Sequence, residues 1–377
     1  MDSIRLFLLW EDFQPRLDHV DPEMLRRLAQ VADTAAHAGL SIMPTLFTGH
    51  MSGVNWIPGW ALGGRDRDDR FRVVSGGAVT GEGLRDWYAD REIARSQARL
   101  ARDAAAAIAG HGALWAWDLG NENSNCVKPH DSAAGSGWMA QISEAIRGAD
   151  DAAQITIGLH MEDLQEDRHL GPREAAEVCD FLTMHGYPIY ATWARSSTDE
   201  HVAPFLARLT RWLGGGKDVL FSEFGVPTYG RGSPDSERSR DPASMLVDEE
   251  EAARYARRVL AELRRAGCIG AMVWCYTDYA PEIWSAPPLD EGQHERSFGL
   301  WRADGSAKPA VSTVAAFAGR SVVDPLHEAW IDIDPLEYQH DPGEQLPRLY
   351  QRYREAAAAG GGVSTVVDPP PADPLPG

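Results

Sequence analysis

The stretch Trp117-Asp118-Leu119-Gly120-Asn121-Glu122-Asn123 decides the fold. It continues an apolar run, Ala113-Leu114-Trp115-Ala116-Trp117, with the length and bulk of a buried strand. A Gly, an Asn and a Glu follow at once. Parallel α/β barrels place their chemistry at the carboxyl ends of their strands, so a strand that finishes on a carboxylate points to such a barrel. A second run, Val219-Leu220-Phe221-Ser222-Glu223-Phe224-Gly225, delivers Glu223 in the same way. Either Glu alone reads as a cap for the next helix. Two such strands in one chain point instead to a working pair of carboxylates, the minimum equipment for hydrolysing a glycosidic bond.

Outward from these two strands, apolar runs alternate with helical patterns. Seven strands are predicted, at 4–10, 40–47, 113–119, 154–160, 180–186, 217–223 and 269–276. Between them, Asp21-Pro22 opens a helix by the N-cap and first-turn proline rule, and Leu25, Leu28, Ala29, Ala32 and Ala36 recur at helical spacing. Such alternation argues a parallel sheet with right-handed crossovers. The expected fold class is therefore α/β, a (β/α)8 TIM barrel over residues 1–319. Eight strands close such a barrel, and the chain opens directly on a core strand. The first strand–helix unit is thus expected to be missing at the N-terminus, leaving a gap beside Arg5 and Trp274 and a poorly stable protein. Val363 to Val367 is the only spare β-prone run in the tail. Residues 320–359 read as a C-terminal extension with a surface helix from Arg348 to Ala359, and 360–377 as a disordered tail. The segments 47–86 and 277–307 read as long irregular walls, and 229–244 as a mobile loop.

Bulk composition bounds the partners. The 377 residues carry a net charge of −20 with a pI near 5.0. No basic cluster interrupts this, which argues against nucleic acid and anionic membranes and for a neutral oligosaccharide. The thirteen Trp suit both sugar platforms and a barrel core. The four Cys form no CxxC pair and read as free thiols in a reducing, cytoplasmic compartment. There is no signal-peptide pattern and no apolar run of membrane-spanning length. Oligomeric state is not legible.

Two carboxylates about 5 Å apart cannot both ionise easily. One stays protonated and can protonate the leaving oxygen while the other attacks the anomeric carbon. Once esterified, the second loses its charge and the first can act as base toward water. No metal or cofactor is needed. Arg5 either holds the nucleophile ionised or makes an ion pair at a strand start. His185 and Tyr187 are placed to orient nucleophile and sugar. Trp274 is either the floor of the sugar site or a core residue.

Arg5 on a strand, His50 after the next, Asn121-Glu122, His185-x-Tyr187, Glu223 and Trp274 together resemble glycoside hydrolase family 5, in the clan of retaining (β/α)8 glycosidases. The resemblance covers roughly residues 3 to 318. It implies Glu122 as acid/base, Glu223 as nucleophile and Asn121 as the partner of the sugar 2-hydroxyl. The segments Phe7-Leu8-Leu9-Trp10-Glu11-Asp12-Phe13 and His294-Glu295-Arg296-Ser297-Phe298-Gly299-Leu300 look like its bacterial β-mannanase and β-mannosidase branch. That likeness adds Trp10, Glu11 and His294 as sugar contacts. A β-glucan-directed, cellulase-like specificity is the alternative within the family. A rival class is the metal-dependent amidohydrolase barrel, with His160, His185 and Asp278 at strand ends; it leaves both glutamates unexplained, and bound zinc would favour it. A third reading is a non-catalytic sugar-binding barrel.

Overall fold

A computed structural model of the protein describes residues 2–64, 70–229, 245–321 and 329–359. The chain divides into two compact units. The first holds residues 2–163 and 167–183, the second 164–166 and everything from 184 onward.

The first unit is built on four parallel strands in chain order: β1 (Ser3–Phe7), β2 (Ser41–Thr45), β3 (Trp117–Asn121) and β4 (Ile155–Gly158). Arg5 faces Met43 across the first pair, Thr45 faces Asp118 across the second, and Gly158 faces Asn121 across the third. β3 is buried along its whole length, as expected of parallel strands covered on both faces. Helices connect the strands. α1 (Pro22–His37) starts where the Asp21 carboxylate accepts from the Glu23 amide at 2.8 Å, with Pro at the first helical position. α2 (Arg91–Ala107) packs on α3 (Ser132–Arg147) through Leu100, Ala101, Ala104 and Ala105, all fully buried. The Trp138 indole N–H donates to Gln97 between them at 2.8 Å. α4 (Pro172–Val178) leads to the next strand.

That strand, β5 (Leu182–His185), opens a three-stranded sheet ordered β5–β6–β7, with β6 at Val219–Phe224 and β7 at Gly270–Val273. The helices α5 (Val202–Leu213) and α6 (Glu249–Arg265) connect them. The Asp248 carboxylate caps α6, and Glu249, Glu250 and Glu251 fill its first turn, where the helix dipole favours negative charge. All seven predicted strands are therefore present, each shorter than its apolar run.

Three expectations are corrected. The segment 47–86 is not irregular. Gly49–Met51, Val54–Trp56, Arg72–Ser75 and Ala78–Thr80 form a four-stranded sheet, and Leu62–Gly64 pairs with Gly83–Leu84. Its hairpin turns on Gly76 and Gly77, whose φ values of 58° and 76° suit glycine. Next, the first strand stops at Phe7, and Trp10–Phe13 is a helical turn. Finally, the C-terminal helix α7 (Pro342–Ala358) is a surface helix with one buried face, longer than the Arg348–Ala359 expected. Its Leu346, Leu349, Tyr350 and Tyr353 are buried, and the two tyrosines meet Phe205 of α5 at 5.1 and 5.7 Å. The predicted tail 360–377, with Val363–Val367, lies outside the described residues, as does all of the expected mobile loop except Tyr229.

Candidate active site

In the first unit, β3 carries the chemistry. Asp118 is fully buried in the strand, and a buried carboxylate needs partners. Arg5 of β1 supplies them: its Nε and Nη2 lie 2.8 and 2.5 Å from Oδ2. The Thr45 hydroxyl donates to the same oxygen at 2.7 Å. The amides of Gly120 and Gly158 donate to Oδ1. Arg5 is thus an ion-pair residue within this unit. It also donates to the Asn121 Oδ1 at 2.7 Å, while the Asn121 amide N–H donates to the His50 carbonyl. Both ends of the Asn121 amide are therefore fixed, and its orientation follows from its partners. His50 is itself buried, with Nδ1 2.8 Å from Asn55 Oδ1. Sequence reasoning missed Asp118. The signal was a charge inside an apolar strand.

Glu122 follows β3 in the left-handed conformation, with φ 48° and ψ 41°. For a residue with a Cβ this costs about 1–2 kcal/mol. Strain of this kind persists where the surroundings over-determine it, and it clusters at functional sites. Glu122 stands at the N-cap of the one-turn segment Asn123–Asn125, yet its side chain makes no capping bond. Its Oε2 lies 3.4 Å from the Asn125 amide nitrogen. Beside it is a buried polar cluster. The Ser124 hydroxyl donates to Asp163 Oδ1 at 2.5 Å and lies 3.0 Å from His160 Nε2. The Arg168 guanidinium donates to Asn125 Oδ1 at 2.8 Å. Burial, then the neighbouring Arg168, His50 and Arg70, push the His160 imidazole well below its ordinary value. Burial pushes the Asp163 carboxyl up to about 7, against the opposing pull of Arg168 and Ser124.

In the second unit Glu223 is the fifth residue of β6 and is buried. Its Oε2 accepts the Tyr187 hydroxyl at 2.6 Å, and His185 Nδ1 lies 3.7 Å from Oε1. A hydroxyl donated to a carboxylate favours its ionised form. The Tyr187 ring is set by Tyr190 and Phe298, 5.8 and 5.9 Å away. Trp274 follows β7 and is half-buried, so it is not a core residue. Gly225 is required there, because a Cβ would come within 2.4 Å of the Trp274 carbonyl oxygen. His294 lies 2.8 Å from the Tyr190 hydroxyl, which also donates to the buried Glu295. Tyr190 and Glu295 were not singled out from the sequence.

Two expected sugar contacts are reassigned. Trp10 is 1% exposed. Its ring packs edge-on against Phe47, Trp60 and Trp87, and its N–H donates to Gln14. It is core. The Glu11 carboxylate accepts the Gly76 amide through both oxygens, at 3.0 and 2.8 Å, and so holds a hairpin of the four-stranded sheet. As for the rival metal site, His160 turns to Ser124 and Asp163, and Asp278 pairs with Lys308 at 2.7 Å. All four cysteines are free thiols.

The class defined is an α/β barrel in which each unit presents a glutamate at or near a strand's carboxyl end. No family profile and no curated protein matches the chain. Solved structures do. A GH5_18 protein from Streptomyces cattleya, in complex with Manβ1-4GlcNAc, superposes with a TM-score of 0.74 at 19% identity, over 96% of this chain and 83% of that one. An exo-β-1,4-mannosidase from Opitutaceae bacterium strain TAV5 gives 0.72 at 22%, over 96% of this chain and 62% of that one. The endo-glycoceramidase II from Rhodococcus sp. gives 0.52 at 18%, over 83% and 70%. At these identities the likeness is one of fold: the chain has the (β/α) barrel of these enzymes.

Proposed function

We propose that the protein hydrolyses β-linked mannose from short neutral oligosaccharides with retention of anomeric configuration. Glu122 is the acid/base and Glu223 the nucleophile. The observation that carries this is that Glu122 makes no side-chain capping bond to the turn it precedes, while Glu223 accepts the Tyr187 hydroxyl. Glu223 accepts the Tyr187 hydroxyl, which suits an ionised nucleophile. Glu122 keeps a strained backbone, which a mere cap would not require. In the first step Glu223 attacks the anomeric carbon as Glu122 protonates the departing oxygen. In the second, Glu122 takes a proton from water, which displaces Glu223. Asn121, its amide fixed by Arg5 and His50, is the group offered to the 2-hydroxyl. His185, Trp274 and His294 are the further sugar contacts. Proton and nucleophile both come from carboxylates, so no cofactor is needed.

Manβ1-4GlcNAc and an exo-mannosidase among the similar folds favour mannose and terminal cleavage. The test is a side-by-side assay of aryl β-mannoside, β-glucoside and β-galactoside, with NMR of the first-formed anomer and product analysis on polymeric mannan. The expected result is preference for the mannoside, the β-anomer first, early monosaccharide from mannan, and loss of turnover in Glu223→Ala. Azide should restore activity to that variant, giving an azide adduct of inverted configuration. A preference for the glucoside shifts the reading to a β-glucan-directed enzyme. The inverted anomer first, or an unimpaired Glu223→Ala, refutes the mechanism.

A further inference from the structure

The left-handed backbone of Glu122 has to be held in place, and the residues that hold it are in the same unit. The turn Asn123–Asn125 is tied at three points. The Asn55 side chain donates to the Asn125 carbonyl at 3.1 Å. The Asp163 carboxylate accepts the Ser124 hydroxyl. Arg168 is the third tie and reaches furthest: one nitrogen donates to Asn125 Oδ1 at 2.8 Å and to Ser124 Oγ at 3.3 Å. Its other arm donates to Glu162, which Arg70 also holds, at 2.9 Å. Arg168 is only 3% exposed. A buried guanidinium with fixed forks on both sides is a rigid strut, because its planar donors hold several acceptors at once.

We propose that Arg168 is the positioning residue for Glu122. It acts through the 123–125 turn, and the proposal rests on the acid/base reading given above. With Arg168 on Oδ1, the Asn125 amide must present its N–H side toward Glu122 Oε2. Without that cation the amide is free to turn and set its carbonyl against the Glu122 carboxylate. The strained backbone would then lose one of its three ties. The charge of Arg168 is met by Glu162, so its second arm is free to serve the turn through neutral acceptors.

The test compares Arg168→Met with the wild type on two aryl or alkyl β-mannosides. One has a leaving group that needs a proton and the other, a dinitrophenyl mannoside, does not. Displaced acid catalysis should cost the first substrate about tenfold to a hundredfold in kcat/KM and the second about threefold or less. Adding Arg168→Met to Glu122→Ala should cost the proton-requiring substrate nothing more, because both changes remove the same step. Equal losses on both substrates, or additive losses in the double variant, make Arg168 merely structural and overturn the proposal. Asn125→Ala gives the same comparison if Arg168→Met does not fold. A Glu122→Ala variant that shows no leaving-group selectivity overturns the acid/base reading instead. In that case a crystal structure of Arg168→Met in which Glu122 and the turn have not moved refutes the positioning role on its own.

Discussion

At the residue scale, two buried titratable groups sit behind Glu122 with opposite tendencies. Burial drives the His160 imidazole down and the Asp163 carboxyl up to about 7. Both shifts favour the neutral form. A carboxyl whose folded value lies above its unfolded one contributes stability that is whole below about pH 4 and is lost as pH rises through about 7. His160 runs the other way, its contribution present above about pH 6.5 and lost on acidification. An Asp163→Asn variant is neutral throughout. Its melting temperature should therefore gain on the wild type's as pH rises from about 4 to about 7. Melting curves at intervals of pH measure this. A gap moving toward the wild type would mean that Asp163 folds as an anion paired with Arg168.

At the element scale, α7 is held by more than apolar contact. The Tyr350 hydroxyl donates to Asp199 Oδ2 at 2.7 Å, and Arg354 lies 3.2 Å from the same oxygen. Asp199 is buried, so Tyr350→Phe should destabilise the protein by about 1–3 kcal/mol, read as a lower urea midpoint with unchanged slope. A midpoint unmoved would leave Arg354 as a sufficient partner. The burial of α7 was legible in part: Leu346, Leu349, Tyr350 and Tyr353 follow helical spacing, behind an acidic, proline-rich approach that reads as surface. The seven core strands were legible because each is a long apolar run. Their ends were not, because apolarity marks burial and pairing is set by neighbours. Hence Trp10 reads as strand but turns inward as core. The strands between 49 and 84 escaped because they run only two to four residues, too short for alternation to register. The glutamates, Asn121 and Tyr187 could be found from local patterns and a family resemblance. Arg168 could not, since it meets Asn125 across 43 residues and no local pattern links them.

At the scale of the whole molecule, the net charge of −20 sets up a field that repels anionic glycans and leaves neutral ones indifferent. No helix among the described residues is long and apolar enough to cross a membrane. Of the two proposed catalytic carboxylates, Glu122 is lodged on a strained backbone. That strain sets endurance against activity at a single codon. Glycine accepts the left-handed conformation freely, so Glu122→Gly should melt higher than the wild type, by an amount worth about 1 kcal/mol. The same change removes the proposed acid, and a variant that melts lower would show that the Glu122 side chain itself supports the fold. A lineage that had given up catalysis would gain robustness by discarding this glutamate. A glutamate in a conformation that glycine would fill more comfortably is therefore a local cost of stability that the proposed catalysis would offset.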